Sequence, residues 1–481
     1  MPPPPHRTAG RPVTARLTQA LDDGPMSRFQ WGAIAICVLL NTLDGFDVLV
    51  MSFTGKTISG EWHLDSGTLG LLLSSGLAGM ALGALLIAPQ ADRIGRRPVI
   101  LAGLALAAAG MLLSSASQNW QQLGALRVLT GVGIGAVLAC SNVIAGEFAS
   151  RRWRGLAVSL NSTGYAVGAT IGGVSSVALI DRYGWRSVFL AGGLATLAVI
   201  PLAFRLLPES LDFLLSRRPA DALSRVNELA RRMGQPDLST LPDKEPTTLT
   251  SAAGFRRLLA PDLRRPTLVL WGAFFLVMAA FYFVTSWTPT LLVQAGMSAT
   301  QSLTGGTLLN LGGVFGTALL GALAARYALG SVLRTYLFVS AALAARYALG
   351  SVLRTYLFVS AALVVAFASS TDTLVLAFCI GAVIGVAVNG CIAGLYALTP
   401  SVYPAPLRAT GVGAAISVGR VGAIIAPTTA GWLLDAGWTP LALYVTTGAV
   451  FCAAGLLLLA MRRKQPTVKA ARDTRPTPSS A

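Results

Sequence analysis

Apolar and polar positions along the chain fall into long blocks, with neither the alternation of a strand nor the narrow stripe of a soluble helix. Mostly apolar runs of about 20 residues recur near 29–53, 67–90, 98–117, 122–146, 155–180, 187–207, 267–292, 302–325, 351–369, 373–398, 409–434 and 438–461. As a helix, each is long enough to cross a hydrocarbon core of ~30 Å. An open sheet cannot satisfy its backbone in lipid, and the runs lack the dyad pattern of a barrel strand. The pattern therefore predicts an all-α integral membrane protein with twelve transmembrane helices. The polar stretch 208–266 separates six runs from six. Within it, Leu223, Val226, Leu229 and Ala230 have helical spacing, which predicts a short amphipathic helix over roughly 219–233 at the membrane surface.

Composition agrees with the pattern: 54% of the 481 residues are apolar and 12% charged, whereas a soluble domain carries roughly 25% charged residues. The net charge of +17 would suggest nucleic acid in a soluble chain, but its placement removes that reading. With the N-terminus taken as cytoplasmic, 32 of the 37 Lys and Arg lie in the tails and cytoplasmic connections. The outer loops hold only Lys56, Arg182 and Arg186, and Arg127 and Arg420 fall inside apolar runs. This is the positive-inside pattern with both termini cytoplasmic. Cys37, Cys140, Cys379, Cys391 and Cys452 all sit in apolar runs without CxxC spacing and read as small core residues. The first 25 residues lack the apolar core of a signal peptide, so the first helix is expected to direct insertion into the cell (inner) membrane. The expected organisation is a tail over 1–28, a six-helix bundle over 29–207, a cytoplasmic linker over 208–266, a second bundle over 267–461 and a basic tail over 462–481.

Residues 322–341, "ALAARYALGSVLRTYLFVSA", are repeated without change at 342–361. A solenoid needs at least three diverged units, so this is a single tandem duplication or an error of sequence assembly. If the extra copy crossed the membrane, everything after it would invert, against the charge distribution. It is expected on the cytoplasmic side, as a lengthened eighth helix or an interfacial helix carrying Arg326, Arg334 and Arg346.

Between the second and third runs stands Ala91-Asp92-Arg93-Ile94-Gly95-Arg96-Arg97. It resembles the loop signature of the major facilitator superfamily, D-R-x-G-R-R/K, with Ala88 where that pattern usually starts with Gly. The resemblance implies two six-helix bundles and makes Asp92, Arg93, Gly95, Arg96 and Arg97 a conformational gate. Arg127 within "LRVLTGVGIG", Gly146-Glu147-Phe148 through Arg154-Gly155, and Pro208-Glu209-Ser210 resemble further motifs of the superfamily. Glycines at 131/135, 168/172 and 312/316 suit close helix packing.

A narrower resemblance rests on Asp44-Gly45-Phe46-Asp47, "SWTPTLL" (286–292) and "YPAPLRATGVGAAISVGRVGAIIAP" (403–427). Together these resemble the aromatic acid:proton symporter family. The resemblance implies uptake of benzoate-like or hydroxylated aromatic carboxylates, with the D-G-x-D pair important for transport.

The residues carry their own argument. Asp44 and Asp47, three apart, share one helical face. Each ionised carboxylate in mid-membrane costs roughly 2.5–3.5 kcal/mol on insertion scales. Desolvation and mutual repulsion both favour holding a proton on the pair, which is what a proton-coupled site needs; a pair satisfied by neighbours such as Asn41 and Thr42 is the alternative. Only His6 and His63 exist, one in the tail and one in an outer loop, so coupling falls to carboxylates. Glu147 is the secondary candidate, with a salt bridge to Arg151, Arg152 or Arg154 as the rival reading. A carboxylate substrate needs a cationic counterpart. Arg420 and Arg127 are the candidates, structural pairing being the alternative for both and Asp44 or Asp47 the partner for Arg127. Phe46, Asn161, Tyr165, Asn389 and Tyr396 are further candidates for holding the ring and its polar substituents, against ordinary packing.

The sequence thus predicts proton symport of a small aromatic carboxylate by alternating access, by a monomer in contact with lipid, with no cofactor, metal or nucleic acid. A carrier of another organic acid, sugar or nicotinate-like compound, or an efflux antiporter, is the alternative. An enzyme or sensor is disfavoured because 208–266, the longest stretch between helices, has no His, no Cys and little apolar core.

Overall fold

The structure is a computed structural model that describes residues 24–150, 152–235, 237–241, 251–325, 349–370, 373–404 and 407–460. Helices account for the secondary structure of the described residues. They are α1 Arg28–Trp62, α2 Ser66–Ile94, α3 Arg96–Ser114, α4 Trp120–Glu147, α5 Arg154–Tyr183, α6 Arg186–Leu206, α7 Leu211–Arg217 and α8 Ala222–Arg232. There follow α9 Ser251–Leu258, α10 Arg264–Gln294, α11 Ala299–Ala325, α12 Leu349–Ala368, α13 Leu374–Val402, α14 Arg408–Asp435 and α15 Pro440–Leu459. Ten of them are long and apolar enough to cross a membrane, and α11 and α12, with a shorter apolar stretch at Leu353–Ala368, stand where the eighth and ninth of the expected twelve runs lie.

The expected amphipathic helix is α8, shorter than read from the sequence. Its Val226, Leu229 and Ala230 pack into a cluster with Phe148, Leu207, Leu211 and Leu214 rather than facing lipid. The first apolar run continues further than expected, so that Lys56 lies on α1 and not in a loop. Ser27 and Gln30 form a capping box at the start of α1. At its end, Glu61 accepts from Trp185 Nε1 at 2.7 Å and pairs with Arg186 at 2.8 Å, which anchors the extra turns. Residues 326–348 hold most of the duplication, so the expected placement of the extra copy and of Arg326, Arg334 and Arg346 lies outside the described residues; 349–361 open α12. Most of both expected tails, 1–23 and 461–481, is likewise outside them.

Packing repeats between the halves. In the first, α1 pairs with α5, α2 with α4, α3 with α4 and α3 with α6; in the second, α10 pairs with α14, α11 with α13, α12 with α13 and α12 with α15. Across the halves, α2 lies on α14, α5 on α11 and α1 on α10. Glycine makes the close crossings possible, as expected. A Cβ at Gly168 would stand 1.8 Å from the Thr42 carbonyl oxygen and one at Gly45 1.9 Å from that of Tyr165, so α1 and α5 touch backbone to backbone. Gly131, Gly135 and Gly312 sit in similar contacts, while Gly172 faces the Phe46 ring and the side-chain surroundings of position 316 lie outside the described residues.

Polar bonds between the halves gather at the end that carries the α1–α2 turn at His63. Ser52 Oγ donates to the carbonyls of Thr285 and Ser286 at 3.0 and 2.7 Å, and Thr428 Oγ1 bonds Ser74 Oγ at 2.8 Å. The Asp435 carboxylate, at the end of α14, accepts from the backbone N–H groups of Ser66 (2.9 Å) and Gly67 (2.7 Å) at the start of α2. A carboxylate on free amides at a helix N-terminus is a favourable charge-to-dipole contact. The halves are therefore closed against each other at this end.

Gly168→Val is expected to cost about 1–3 kcal/mol by overpacking and to lower the Tm of the purified protein in detergent; an unchanged Tm would contradict backbone contact between α1 and α5. Asp435→Ala is expected to broaden the distance distribution between spin labels at Glu61 and Trp438. A distribution identical to the parent's would show that Asp435 holds nothing closed.

Candidate functional site

The middle of α1 presents its polar groups to the interior. Asp44 is 3% exposed, Asp47 6% and Arg127 of α4 1%. Arg127 Nη1 bonds Asp47 Oδ1 at 2.8 Å, and Nη2 donates to Thr130 Oγ1 at 2.8 Å and lies 3.0 Å from Met111 Sδ. The Phe189 ring covers the guanidinium, 5.2 Å from its carbon to the ring centre. Of the two partners the sequence left open for Arg127, the structure selects Asp47. Thr130, Met111 and Phe189 complete the enclosure of the pair; each is an ordinary residue of an apolar run, and nothing in its spacing singles it out as a neighbour of Asp47.

Asp44 is arranged differently. Its Oδ1 is enclosed and has no hydrogen-bond partner. Asp47, one turn along, and Arg420, from α14 in the other half, are the charges that act on it. Arg420 is half-buried and makes no ion pair with a described carboxylate; its charge also acts on Tyr282 of α10 and Tyr396 of α13. Tyr396 packs edge-on against Phe274 with centroids 5.7 Å apart. Tyr165 of α5 lies within electrostatic reach of both Asp44 and Tyr282. Asn161, one turn before Tyr165, is fully buried and donates from Nδ2 to Asn142 Oδ1 of α4 at 2.6 Å. The structure thus gathers Asp44, Asp47, Arg127, Asn161, Tyr165, Tyr396 and Arg420 around the meeting of the two halves.

Two candidates take packing positions instead. The Phe46 ring lies against Gly172 and Gly192 of α5 and α6. Asn389 donates from Nδ2 to the Gly385 carbonyl at 2.9 Å and lies against Gly313 of α11.

The α2–α3 loop forms a separate network at the opposite end. Gly95 has φ +104°, a conformation that L side chains rarely adopt, and a Cβ there would stand 2.5 Å from Glu209 Oε2. The turn aims the Arg96 and Arg97 amides at Glu209 Oε1, at 2.8 and 3.2 Å. Glu147 pairs with Arg96, and Ser210 Oγ bonds Glu147 at 3.1 Å; Arg151, one of the partners expected for Glu147, lies outside the described residues. Arg96 also faces Asp92 at 3.8 Å and Asp212 at 3.6 Å, while Arg97 donates to the Phe204 carbonyl and Arg93 is exposed. The Pro208-Glu209-Ser210 stretch was visible in the sequence, but its bonds to the loop were not. A cavity of about 480 Å³ lies at this end, lined by Arg97, Phe204, Arg205, Arg225 and Arg232. Arg225 and Arg232 are paired with Asp221 and Glu228 at 2.6 and 2.5 Å, and no residue of the second half lines the cavity.

The sequence profile of the Major Facilitator Superfamily matches residues 34–368. The gallate transporter of Pseudomonas putida is 33% identical over 452 residues, covering 92% of this chain and 93% of its own. The 4-hydroxybenzoate transporter PcaK of Acinetobacter baylyi is 30% identical over 424 residues, covering 87% and 88%. Among solved structures, the xylose transporter XylE of E. coli, in a partially occluded inward-open conformation, superposes with a TM-score of 0.67 at 16% identity, covering 90% of this chain and 98% of that one. The fold, the α2–α3 loop and likeness over most of the chain agree: the chain belongs to the Major Facilitator Superfamily, as a multi-pass membrane transporter and not an enzyme, and resembles its aromatic acid:proton symporters.

Proposed function

We propose that this protein imports a small aromatic carboxylate together with a proton, by alternating access between its halves. The observation that carries the reading is the contrast between two neighbouring carboxylates. Asp47 is neutralised by Arg127 within its own half, whereas Asp44 has an unpartnered oxygen and no ion pair among the described residues, with Arg420 of the other half the positive charge that acts on it. Relatives that carry gallate and 4-hydroxybenzoate support the substrate class.

Coupling follows from charge balance. An ionised Asp44 and Arg420 compensate each other, which leaves no free cation for an anionic substrate. Protonation of Asp44 frees Arg420 to accept the substrate carboxylate, with Tyr282 and Tyr396 beside the ring. Proton and anion together then leave the site with the net charge it started from, so the loaded protein can rock without carrying an uncompensated charge through a low-dielectric region. Release of both on the other side restores the Asp44–Arg420 attraction. Arg127, held by Asp47, acts as a fixed member of the first half.

The rocking bodies are residues 29–207 and 267–461, joined through 208–266. The Lys and Arg distribution supports cytoplasmic termini and residence in the inner membrane, which puts the Asp435 closure outside and makes this conformation closed to the exterior. The Asp92–Arg97 loop then lies on the cytoplasmic side, where its arginines face lipid phosphate and its ion pairs change with opening; Glu147 is assigned to that switch and not to the proton path. One protomer contains every group the cycle uses.

Uptake of labelled aromatic acids into proteoliposomes, with and without acid outside, tests the reading. Acid-driven accumulation of at least one is expected, and its absence across the panel would overturn the proposal. Asp44→Asn is expected to keep exchange of labelled for unlabelled substrate and to lose accumulation driven by the pH gradient; retained accumulation would remove Asp44 from the coupling. Asp47→Asn strands a buried guanidinium and is expected to cost about 3–5 kcal/mol of stability. Asp47→Asn with Arg127→Gln is expected to recover much of that loss in thermal unfolding, and a fully additive double variant would deny the pair.

A further inference from the structure

The cavity of about 480 Å³ that the start of α3, the end of α6 and α8 enclose lies apart from the central site, and the transport cycle gives it no task. Its walls are of two kinds. Arg97, Arg205, Arg225 and Arg232 line it against Glu209 and Glu228, while Leu101, Phe204 and Leu206 give it an apolar side. Both glutamates are engaged: Glu209 accepts from the Arg96 and Arg97 amides, and Glu228 pairs with Arg232. Arg225 pairs with Asp221. Arg97 and Arg205 make no ion pair with a described carboxylate. Arg97 Nη2 donates to the Phe204 carbonyl, and its Nε is enclosed without a hydrogen-bond partner.

The cavity also stands at the end of a surface that lies in lipid. Along α6, Leu190, Leu194, Leu197, Pro201 and Phe204 recur every three or four residues, which sets them on one face, and all are exposed. Pro98, Ala102, Ala105 and Ala109 do the same on α3, which packs against α6. Arg205 follows Phe204 in a helix that ends at Leu206. An arginine at the end of a span reaches headgroup level while its stem stays against apolar surface. Guanidinium groups bind phosphate through paired N–H donors. A free phosphate has no use for the apolar side of the cavity, whereas an amphiphile uses both sides, and the volume is in the range of sites for small organic molecules.

We propose that this cavity holds the headgroup of an anionic phospholipid, with Arg205 and Arg97 on the phosphodiester, Arg225 and Arg232 of α8 adding to the positive field, and the acyl chains along the exposed faces of α6 and α3. Bound there, the lipid joins α8 to the ends of α3 and α6 and stabilises the first half, whichever solute the protein carries.

Native mass spectrometry of the detergent-purified protein, equilibrated with equal amounts of a phosphatidylglycerol and a phosphatidylcholine of the same acyl chains, tests the proposal. Retention of one phosphatidylglycerol is expected, preferred at least ~5-fold over phosphatidylcholine. Arg205→Gln is expected to lower that preference about 5-fold. Arg225→Gln, at an exposed position of α8, is expected to lower it in the same direction and serves if the Arg205 variant does not fold. Arg182→Gln, on α5 at the opposite end, is expected to leave it unchanged. Equal retention of the two lipids would overturn the proposal, as would a preference unchanged in both cavity variants. A loss just as large in Arg182→Gln would show general attraction of anionic lipid to a basic protein and overturn it too. Millimolar inorganic phosphate, compared with chloride at equal ionic strength, is expected to leave the lipid in place; displacement would make this a site for free phosphate and not for lipid.

Discussion

A carboxylate taken into the hydrocarbon region must be neutralised by a partner or by a proton, and α1 carries two of them one turn apart. Pairing Asp47 with Arg127 satisfies one within a single half, with Thr130, Met111 and Phe189 closing around the guanidinium. The pair ties α1 to α4, so the first half moves as one body. It also consumes the positive charge that Asp44 could otherwise have used. Asp44 keeps an oxygen without a hydrogen-bond partner, and the positive charge that acts on it is Arg420 of the opposite half.

The same interface depends on how closely helices can approach. Where glycine lets backbones touch, as between α1 and α5 or α2 and α14, there is little room for side chains to adjust, and the contact is made or broken as a unit. The halves are closed at the His63 end by such contacts, reinforced by the Asp435 carboxylate on the α2 amides. At the opposite end, Glu209 accepts from the amides that open α3 and Arg96 gathers Glu147, Asp92 and Asp212. Charges on helix termini thus appear at both ends of the molecule, away from the central cluster, where they can stabilise a conformation without taking part in binding.

Much of this was legible in the chain. Runs of about 20 apolar residues gave the helices, because lipid leaves a spanning segment no other way to satisfy its backbone. Rarity singled out the candidates: with no histidine and two arginines within the apolar runs, Asp44, Asp47, Arg127 and Arg420 stood out by their cost alone. Phe46 and Asn389 carried no such signal. Aromatic rings and amides are common in spans, and which side of a helix meets the cavity depends on neighbours that the sequence does not name.

By itself, the sequence determined the class of molecule and the charged residues that had to be compensated, because the cost of a polar group in lipid is local and needs no knowledge of the fold. The tertiary structure alone decided that Asp47, and not Asp44, pairs with Arg127. Asp47 and Arg127 are 80 positions apart, and Asp44 and Arg420 belong to different halves. Partnership between them is set by the crossing of glycine-lined helices, a property of packing geometry that spacing along one chain does not encode.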